Sequence, residues 1–556
     1  MRLATLLALL TACRSSGVDI GDSDTDSAAD TDDTDDTDDT DDTDDTDDTD
    51  TDDTAQDTAP SFVVSGTAVA TILPYNPNAA AVVVTVDHDA MVWVEYGERG
   101  QTTPPRLLTA DEPTEILVLG LKSGLATSLV VRAEAPDGAP WESEPIVVDA
   151  PPIPRDFQRC IASTYADRHD PDEVYCTDGY YSSTGTYNYF CVDHQGDVVY
   201  RIEGMPSELV YSPVPLMDGG WAGVSSTNSV LVMFDEKSEA IAQFAPIWFS
   251  GRTTWQHDYI DNHETIQITE GDWAGALAVI TGTWEYSWTY GWVYSQGIVV
   301  FDPYNREVLW DWTTAGDVND GVSVDPMLDY GRSAYGGFIS DYGHGNSLDF
   351  RIDDDGRKVF WMSMRSQSWI VKIDVETSSV VWRFGMGGDF TLVDDIDAER
   401  PVTLPTEEWF FGEHEARFRS FDGDRTTFTM FDNGYYRMDD AGNWVDPSWS
   451  RMVEYRLDEG TMLGEIVWEY GPRDPYDPDY LIAWGMGGAM VLPDEERAAW
   501  SSGYGTGNGW GGPFLREVSY PEGELLWSFD CVDYGAGFYR VQWYPSLYDL
   551  TWRMGR

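Results

Sequence analysis

Three histidines in the middle of the chain each stand at the start of a strand-like segment. They are His257 in QHDYIDNHETIQI, His344 in GHGNSLDFRI and His414 in EHEARFRSF. Asn346 lies in the second of these segments, and Arg365 follows the next strand-like segment. An imidazole can act as a nucleophile or exchange a proton near neutral pH, and the planar guanidinium of arginine binds anionic oxygens. Together these residue types predict chemistry on an anionic group.

A recurring strand ending indicates how these side chains are brought together. It occurs six times, as VVY at 198–200, AIAQF at 240–244, VLWDW at 308–312, VVWRF at 380–384, IVWEY at 466–470 and LLWSF at 525–529. Recurrence at intervals of about 40 to 90 residues is typical of propeller blades, and the tryptophans are predicted to pack between blades. Because strand starts in successive blades converge on a central channel, the histidines and Arg365 are predicted to meet there. The stretch 537–543 is predicted to pair with the first blade and close the ring.

Residues 60–152 have a different pattern, in which short apolar and polar runs alternate between turn residues. Examples are AVVVTV at 81–86, VWVEY at 92–96 and SLVVR at 128–132. The GLKSGL stretch at 120–125 resembles a fibronectin type III corner and predicts a small β-sandwich. Prolines at 151, 152 and 154 mark its end. The predicted fold is therefore all-β, with a fibronectin III-like β-sandwich followed by a six-bladed β-propeller over 153–556.

The chain opens with one basic residue, an apolar run over 3–10 and Leu-Thr-Ala before Cys13. A membrane span needs about 20 apolar residues, so this run is typical of a secretory signal. Small residues followed by cysteine resemble a lipoprotein signal, in which 1–12 are removed and Cys13 is acylated. The alternative is an ordinary signal with an incidental cysteine. Arg14 replaces the aspartate that would favour the inner membrane, so we expect an exported lipoprotein anchored in the outer membrane, on its periplasmic or cell-surface side.

Residues 13–59 form an acidic stalk in this interpretation. Positions 19–58 are almost entirely an Asp-Thr repeat. Such a segment cannot offset its ordering entropy by burying apolar surface, and its like charges extend it. Calcium binding is an alternative, but the DDT repeat lacks the glycine turn and terminal glutamate of an EF-hand loop. We predict a disordered spacer.

Acidity extends beyond the stalk. The formal net charge is −66, and without the stalk's 21 aspartates, Arg2 and Arg14 there remain 78 acidic and 31 basic residues, a charge of −47. So anionic a protein is not expected to bind nucleic acid or anionic lipid surfaces. An anionic substrate would need a locally positive pocket, which makes arginine close to histidine informative.

Four cysteines follow Cys13, at positions 160, 176, 191 and 531. An even number in an oxidising compartment predicts two disulfides, and the spacing fits neither a zinc site nor a Cys-x-x-Cys motif. Their connectivity is left open by the sequence.

Several of these segments resemble the bacterial arylsulfotransferase family, whose members use an aryl sulfate rather than a nucleotide as donor. The resemblance is carried by HGNS at 344–347, SMRSQS at 363–368, KIDVETSSVVWRFG at 372–385 and FFGEHEARFRSFDGDRTTFTMFDNG at 410–434. It is firmest over 254–470, extends over 155–556 and does not include the first 150 residues. It implies transfer of a sulfuryl group from an aryl sulfate ester to a phenolic acceptor, with no nucleotide, metal or redox cofactor.

Carried over residue by residue, the resemblance implies that His414 is sulfated as a covalent intermediate. It implies that His344, Asn346 and Arg365 hold the sulfuryl oxygens, and that His257 assists proton transfer. A neutral imidazole suits the first and last of these roles, and hydrogen-bond donors with a guanidinium fork suit the second.

Two glutamates depart from the family pattern. Glu413 and Glu415 flank His414, and the former position is commonly an amide. A carboxylate directed into the site would repel a sulfate ester and favour the protonated imidazole, which is not nucleophilic. A carboxylate that orients the ring from outside would preserve activity. Both arrangements are open at the level of sequence.

Two other functions fit parts of the chain. The IDVET stretch at 373–377, followed by Trp382, resembles the docking repeat of quinone-dependent dehydrogenase propellers. Motifs for a quinone and calcium pocket are not found in the sequence. A surface-anchored binding propeller without catalysis is the second alternative, because a fold alone does not define a function.

Overall fold

The computed structural model describes residues 62–153, 160–165, 170–181, 186–202, 210–225, 229–254, 256–287, 291–314, 339–341, 343–477, 479–507, 512–532 and 536–548. Strands account for 56% of the structure and helices for 3%, so the predicted all-β class is confirmed. The helical elements in these ranges are α1 (Pro246–Phe249), the 3-10 helices Gly271–Trp273 and Thr406–Glu408, and the helical residues 547 and 548. None of the helices in the described ranges is long and apolar enough to cross a membrane. Cys13 and the acidic stalk lie outside the described residues.

The first eleven strands lie between residues 62 and 149. They are β1 (Phe62–Val63), β2 (Gly66–Ile72), β3 (Ala79–Val86), β4 (Ala90–Tyr96), β5 (Gln101–Thr102), β6 (Arg106–Leu108), β7 (Thr114–Leu119), β8 (Ala126–Glu134), β9 (Gly138–Ala139), β10 (Trp141–Glu142) and β11 (Ile146–Asp149). β2, β3 and β7 form one antiparallel sheet, β4, β5, β6, β8, β10 and β11 form a second, and β1 pairs with β9. Burial alternates along these strands: Val92 and Val94 are buried, whereas Met91 is exposed. Because burial alternates with a period of two, each sheet has one buried apolar face that can form a core.

Six further sheets, numbered I to VI here, contain most of the remaining strands. Sheet I consists of β13 (Val174–Tyr181), β14 (Thr186–Asp193), β15 (Val198–Arg201) and β40 (Ala536–Tyr544). Sheet II consists of β16 (Val210–Pro215), β17 (Trp221–Ser225), β18 (Val230–Phe234) and β19 (Ala240–Phe244). Sheet III consists of β20 (Tyr259–Gln267), β21 (Leu277–Ser287), β22 (Gly291–Asp302), β23 (Glu307–Thr313) and the parallel strand β24 (Ile339–Asp341).

Sheet IV consists of β25 (Gly345–Ile352), β26 (Lys358–Met364), β27 (Trp369–Asp374) and β28 (Ser379–Gly385). Sheet V consists of β30 (His414–Asp422), β31 (Arg425–Asp432), β32 (Arg451–Asp458), β33 (Leu463–Tyr470) and the parallel strand β29 (Thr391–Val393). Sheet VI consists of β35 (Gly488–Val491), β36 (Arg497–Ser501), β38 (Phe514–Ser519), β39 (Leu525–Cys531) and β12 (Cys160–Thr164). β34 (Leu481–Gly485) and β37 (Tyr504–Gly507) form a separate pair.

The six sheets contact one another in chain order. β16 lies against β13 and β14 of sheet I, and contacts then run from β16 to β20, β25, β30, β35 and β40. Since β40 belongs to sheet I, this succession of contacts closes on itself. The strands that make these contacts are β40, β16, β20, β25, β30 and β35, one in each sheet. Counted from them, the fourth strand of each sheet contains one of the predicted strand endings, in β15, β19, β23, β28, β33 or β39.

Strands from both ends of this region join the closure. β40 pairs with β13, as predicted for 537–543, and β12 pairs with β39. A disulfide between Cys160 and Cys531 links β12 to β39, and a second between Cys176 and Cys191 links β13 to β14. The two predicted disulfides therefore have a defined connectivity, and the pairing covers strand edges that would otherwise be open.

Aromatic packing fills the space between neighbouring sheets. The ring of Trp310 on sheet III stacks on Phe360 of sheet IV at 5.3 Å, and that of Trp527 on sheet VI stacks on Tyr175 of sheet I at 4.9 Å. These contacts confirm the predicted packing role for both tryptophans. Leu119 of the N-terminal sheets shares a core with residues of sheet I, so the two regions pack directly on each other.

Candidate active site

The strand starts that carry the predicted site residues are irregular. The pairing of β20, β25 and β30 with their neighbours shifts register close to the strand start, and the pairing of β40 with β13 shifts opposite Thr177. His344, Glu415 and Arg540 have φ angles of 49°, 54° and 64°, in the left-handed region that side chains other than glycine rarely adopt. Bulges and strained residues of this kind re-aim side chains and cluster at active sites.

His414 is held as a neutral ring of defined tautomer. Its Nδ1 lies 2.7 Å from the amide oxygen of Asn433, whose amide nitrogen in turn donates to the carbonyl oxygen of Met486 at 2.9 Å. The amide oxygen of Asn433 can only accept a hydrogen bond, so Nδ1 of His414 carries the proton. Nε2 accepts a hydrogen bond from the Met486 N–H at 3.2 Å. Burial, followed by the charge of Arg365, lowers the pKa of His414 well below its ordinary value. The lone pair of Nε2 is therefore present at neutral pH.

Two further imidazoles lie beside His414. The rings of His263 and His344 meet edge to face with centroids 4.7 Å apart, and Tyr539 lies 6.1 Å from His263 and 5.8 Å from His414. Nδ1 of His263 contacts the carboxylate of Asp261. Although burial opposes ionisation of Asp261, His263 and His344 hold the pKa of that carboxyl below its ordinary value. Within the described ranges, no three histidine, cysteine, aspartate or glutamate side chains are grouped to hold a metal ion.

Arg365 and Asn346 supply the donors predicted for an anionic group. Arg365 is partly buried and donates through Nη2 to the carbonyl oxygen of Trp484 at 2.9 Å, while its Nε has no partner among the described residues. The buried amide of Asn346 donates one N–H to the carbonyl oxygen of Glu413 at 2.7 Å. The amide nitrogen of Asn346 makes no second hydrogen bond among the described contacts. The site thus combines a cation with neutral donors.

Neither flanking glutamate bonds to the ring of His414. Glu413 is fully buried and accepts a hydrogen bond from Ser363 at 2.9 Å, and burial raises its pKa to about 8. Glu415 points towards Arg417 and Arg540 at 3.5 and 3.7 Å, and burial raises its pKa to about 7. The sequence left open whether these carboxyl groups point into the site or orient the ring of His414. Both bind other residues, and Asn433 orients the ring.

Four of the five predicted catalytic residues lie together in the structure, and these are His344, Asn346, Arg365 and His414. The fifth, His257, lies elsewhere. His257 is only 7% exposed, with Nδ1 2.7 Å from the Thr281 hydroxyl and Nε2 3.4 Å from Asp311. Both of these partners lie outside the group formed by His263, His414 and Tyr539. Its two ring nitrogens are satisfied within sheet III, which is the environment of a structural histidine.

Two site residues were missed from the sequence, His263 and Tyr539. His263 lies in the same segment as His257, and one signal distinguishes it: the dipeptide His-Glu occurs twice in the chain, at 263–264 and at 414–415. Tyr539 lies 125 positions after His414, in a strand without a recognisable motif. Its contact with the site depends on the long-range pairing of β40 with β13.

In this all-β protein, histidines, an arginine and an asparagine lie together around His414. The family model "Arylsulfotransferase (ASST)" matches residues 166–476, and the chain belongs to this family. The family implies a transferase. No curated protein matches the chain.

Among solved structures, a protein of unknown function from Bacteroides caccae is 10% identical, with coverage of 66% of this chain and 98% of that one and a TM-score of 0.34. Hydrazine synthase from Kuenenia stuttgartiensis is 12% identical, with coverage of 57% and 70% and a TM-score of 0.25. Virginiamycin B lyase from Staphylococcus aureus is 11% identical, with coverage of 66% and 95% and a TM-score of 0.24. Likeness at this level carries no functional argument.

Proposed function

We propose that this protein transfers a sulfuryl group from an aryl sulfate ester to a phenolic acceptor through a sulfohistidine at His414, without a nucleotide donor. The observation that carries the proposal is the state of His414. Burial and Arg365 keep its imidazole neutral, and Asn433 holds the proton on Nδ1, so that the Nε2 lone pair is available beside a cation. Family membership supports the same class of reaction.

In the first half-reaction, Nε2 of His414 attacks the sulfur in line with the aryl oxygen. The N–S bond forms as the bond between sulfur and the aryl oxygen breaks, and the proton on Nδ1 stays in place. Arg365, the remaining amide N–H of Asn346 and His344 take up charge on the sulfuryl oxygens. The Met486 N–H, 3.2 Å from Nε2, gives up its hydrogen bond as the N–S bond forms.

Proton exchange at the phenol oxygen is assigned to His263 rather than to His257. Asp261 contacts Nδ1 of His263 and orients this ring, which donates its proton to the departing phenolate. In the second half-reaction, the neutral ring takes the proton of the acceptor phenol, whose oxygen attacks sulfur and releases His414. Protons and electrons balance over the cycle, and ping-pong kinetics are expected.

Turnover of 4-nitrophenyl sulfate tests the proposal. Nitrophenol release should depend on a phenol acceptor, and protein quenched with donor alone should carry one added sulfuryl group on His414. His414→Asn should abolish transfer, whereas His257→Asn, which alters an equally buried histidine, should retain it. Redox dye reduction only after quinone addition would instead support a dehydrogenase, and inactivity in both assays would support a binding protein.

The finer architecture and the location belong to the same proposal. The closed succession of contacts through β16, β20, β25, β30, β35 and β40 supports a six-bladed propeller. The three-stranded and six-stranded sheets before it support a fibronectin III-like sandwich. The order of a lipoprotein signal, Cys13 and an acidic stalk supports an outer-membrane anchor with the enzyme held away from the membrane surface.

A further inference from the structure

A bulge in β40 turns two consecutive side chains towards the site. β40 pairs with β13 through residues 536–539 and again through 542–544, so that Arg540 and Val541 together face Thr177. The Thr177 hydroxyl lies 2.9 Å from the carbonyl oxygen of Arg540 and 3.2 Å from that of Tyr539. The Tyr539 ring contacts His263 and His414, and Nη2 of Arg540 donates to the Tyr539 hydroxyl at 3.4 Å, so two successive side chains lie on the same side of the strand.

The guanidinium of Arg540 contacts all three strands that carry the site histidines. Its Nη2 donates to the carbonyl oxygen of His263 and, at 2.7 Å, to that of Asn346. Its Nη1 lies 2.8 Å from the carboxylate of Glu264 and 3.7 Å from that of Glu415. The two carboxylates belong to the two His-Glu dipeptides, so one planar group is tied to β20, to β25 and to β30.

We propose that Arg540 is a positioning residue of the sulfuryl-transfer site. It holds together the three strands that carry His263, Asn346 and His414, and it belongs to β40, the strand that closes the succession of sheets. This inference rests on the proposed function. Arg540 lies outside residues 166–476, the part of the chain that matches the family model, so family membership does not assign this role.

The fork geometry makes the inference testable by a conservative change. Lysine at position 540 keeps the charge but cannot bind two carbonyl oxygens and two carboxylates from a fixed plane. The chain also offers a matched control, because Arg497 is a buried arginine of sheet VI that pairs with Glu173 at 2.8 Å and with Glu517 at 3.4 Å. Arg497 has no described hydrogen bond or ion pair with a site residue.

Arg540→Lys and Arg497→Lys should be compared in the full-length protein. Arg540→Lys should lower the rate of His414 sulfation in a donor-only quench, and kcat, by tenfold or more with a smaller change in KM. Arg497→Lys should leave both rates within about twofold of wild type, even if its melting temperature falls as much as that of Arg540→Lys. Equal rate losses in the two variants, or unchanged rates in Arg540→Lys, would overturn the inference.

A second measurement separates this inference from the proposed function. In ¹H–¹⁵N spectra of histidine side chains without substrate, Arg540→Lys should shift the His263 and His344 signals, and Arg497→Lys should not. If wild-type protein transfers no sulfuryl group, the proposed function fails and these spectra still decide whether Arg540 positions the histidines. If Arg540→Lys does not fold, Thr177→Val, which removes the hydroxyl at the bulge, should give the same shifts in weaker form. Unshifted signals in the folded variant overturn the inference.

Discussion

Replacing Asn433 with aspartate tests whether His414 reacts as a neutral imidazole. The Asn433 amide oxygen lies 2.7 Å from Nδ1 of His414, whose pKa is held well below its ordinary value by burial and then by Arg365. A carboxylate there would favour the imidazolium, and an opposite charge at such range moves a pKa by about 1 to 3. Because only the neutral ring is nucleophilic, the acid limb of the pH profile of kcat/KM should move to higher pH by about 1 to 3 pH units.

The pH profile of kcat/KM measured on two further variants isolates the effect of the negative charge at position 433. Asn433→Ala removes the hydrogen bonds without adding a carboxylate, so it should lower kcat by about tenfold to a hundredfold, equivalent to about 1 to 3 kcal/mol, with the acid limb in place. Asp311→Asn changes the partner of His257 and should leave the limb unmoved. If the limb stays in place in Asn433→Asp, or moves as far in Asp311→Asn, then the neutral form of His414 does not govern the reaction.

Three other changes address the anion-binding group, the buried carboxylate and the anchor. Arg365→Lys keeps the charge but loses the fork, and should raise the barrier for His414 sulfation by about 2 to 4 kcal/mol in single-turnover measurements; a loss below about threefold would argue against Arg365 as a transition-state donor. Burial raises the pKa of Glu413 from 4.5 to about 8, so the folded protein keeps a proton that the unfolded chain releases, and this contribution to stability is lost as pH rises through that range. Glu413→Gln should therefore show a smaller fall in melting temperature between pH 5 and pH 8 than wild type, and an identical fall would refute the assignment. Cys13→Ser should release the protein from membranes, and continued sedimentation with them would remove the proposed anchor.

Most of the sheet structure follows from local patterns that a sequence contains. Strand faces alternate with a period of two, and the recurring endings fall in the fourth strands because each must bury an aromatic or aliphatic residue against the next sheet. The pairing of β12 with β39 was not predicted, because it joins residues 371 positions apart and no local pattern encodes it. For the same reason the Cys160–Cys531 disulfide could not be assigned from the sequence.

The candidate site was predictable where its residues occupy equivalent strand starts. His344 and His414 stand immediately before or at the first residue of β25 and β30, and the structure places them near each other. His257 also precedes a strand, β20, but the bulge in β20 lies further along, and the residue directed into the site is His263. A bulge changes which residue faces the site, and an alternating apolar pattern does not reveal it.

β40 shows that the site includes residues outside the family motifs. The motifs contain the proposed reactive groups, and β40 adds Tyr539 and Arg540. In a regular strand, either Tyr539 or Arg540 would face the site and the other would face away. Because Arg540 and Val541 both lie opposite Thr177, the Tyr539 ring contacts His263 and His414 while the guanidinium of Arg540 binds the backbone of β20 and β25. The segment that matches the family contains every group proposed to touch the sulfuryl group, yet their mutual arrangement depends on a strand that begins 60 residues beyond its end. Changes near the C-terminus should therefore alter the chemical step and not only stability.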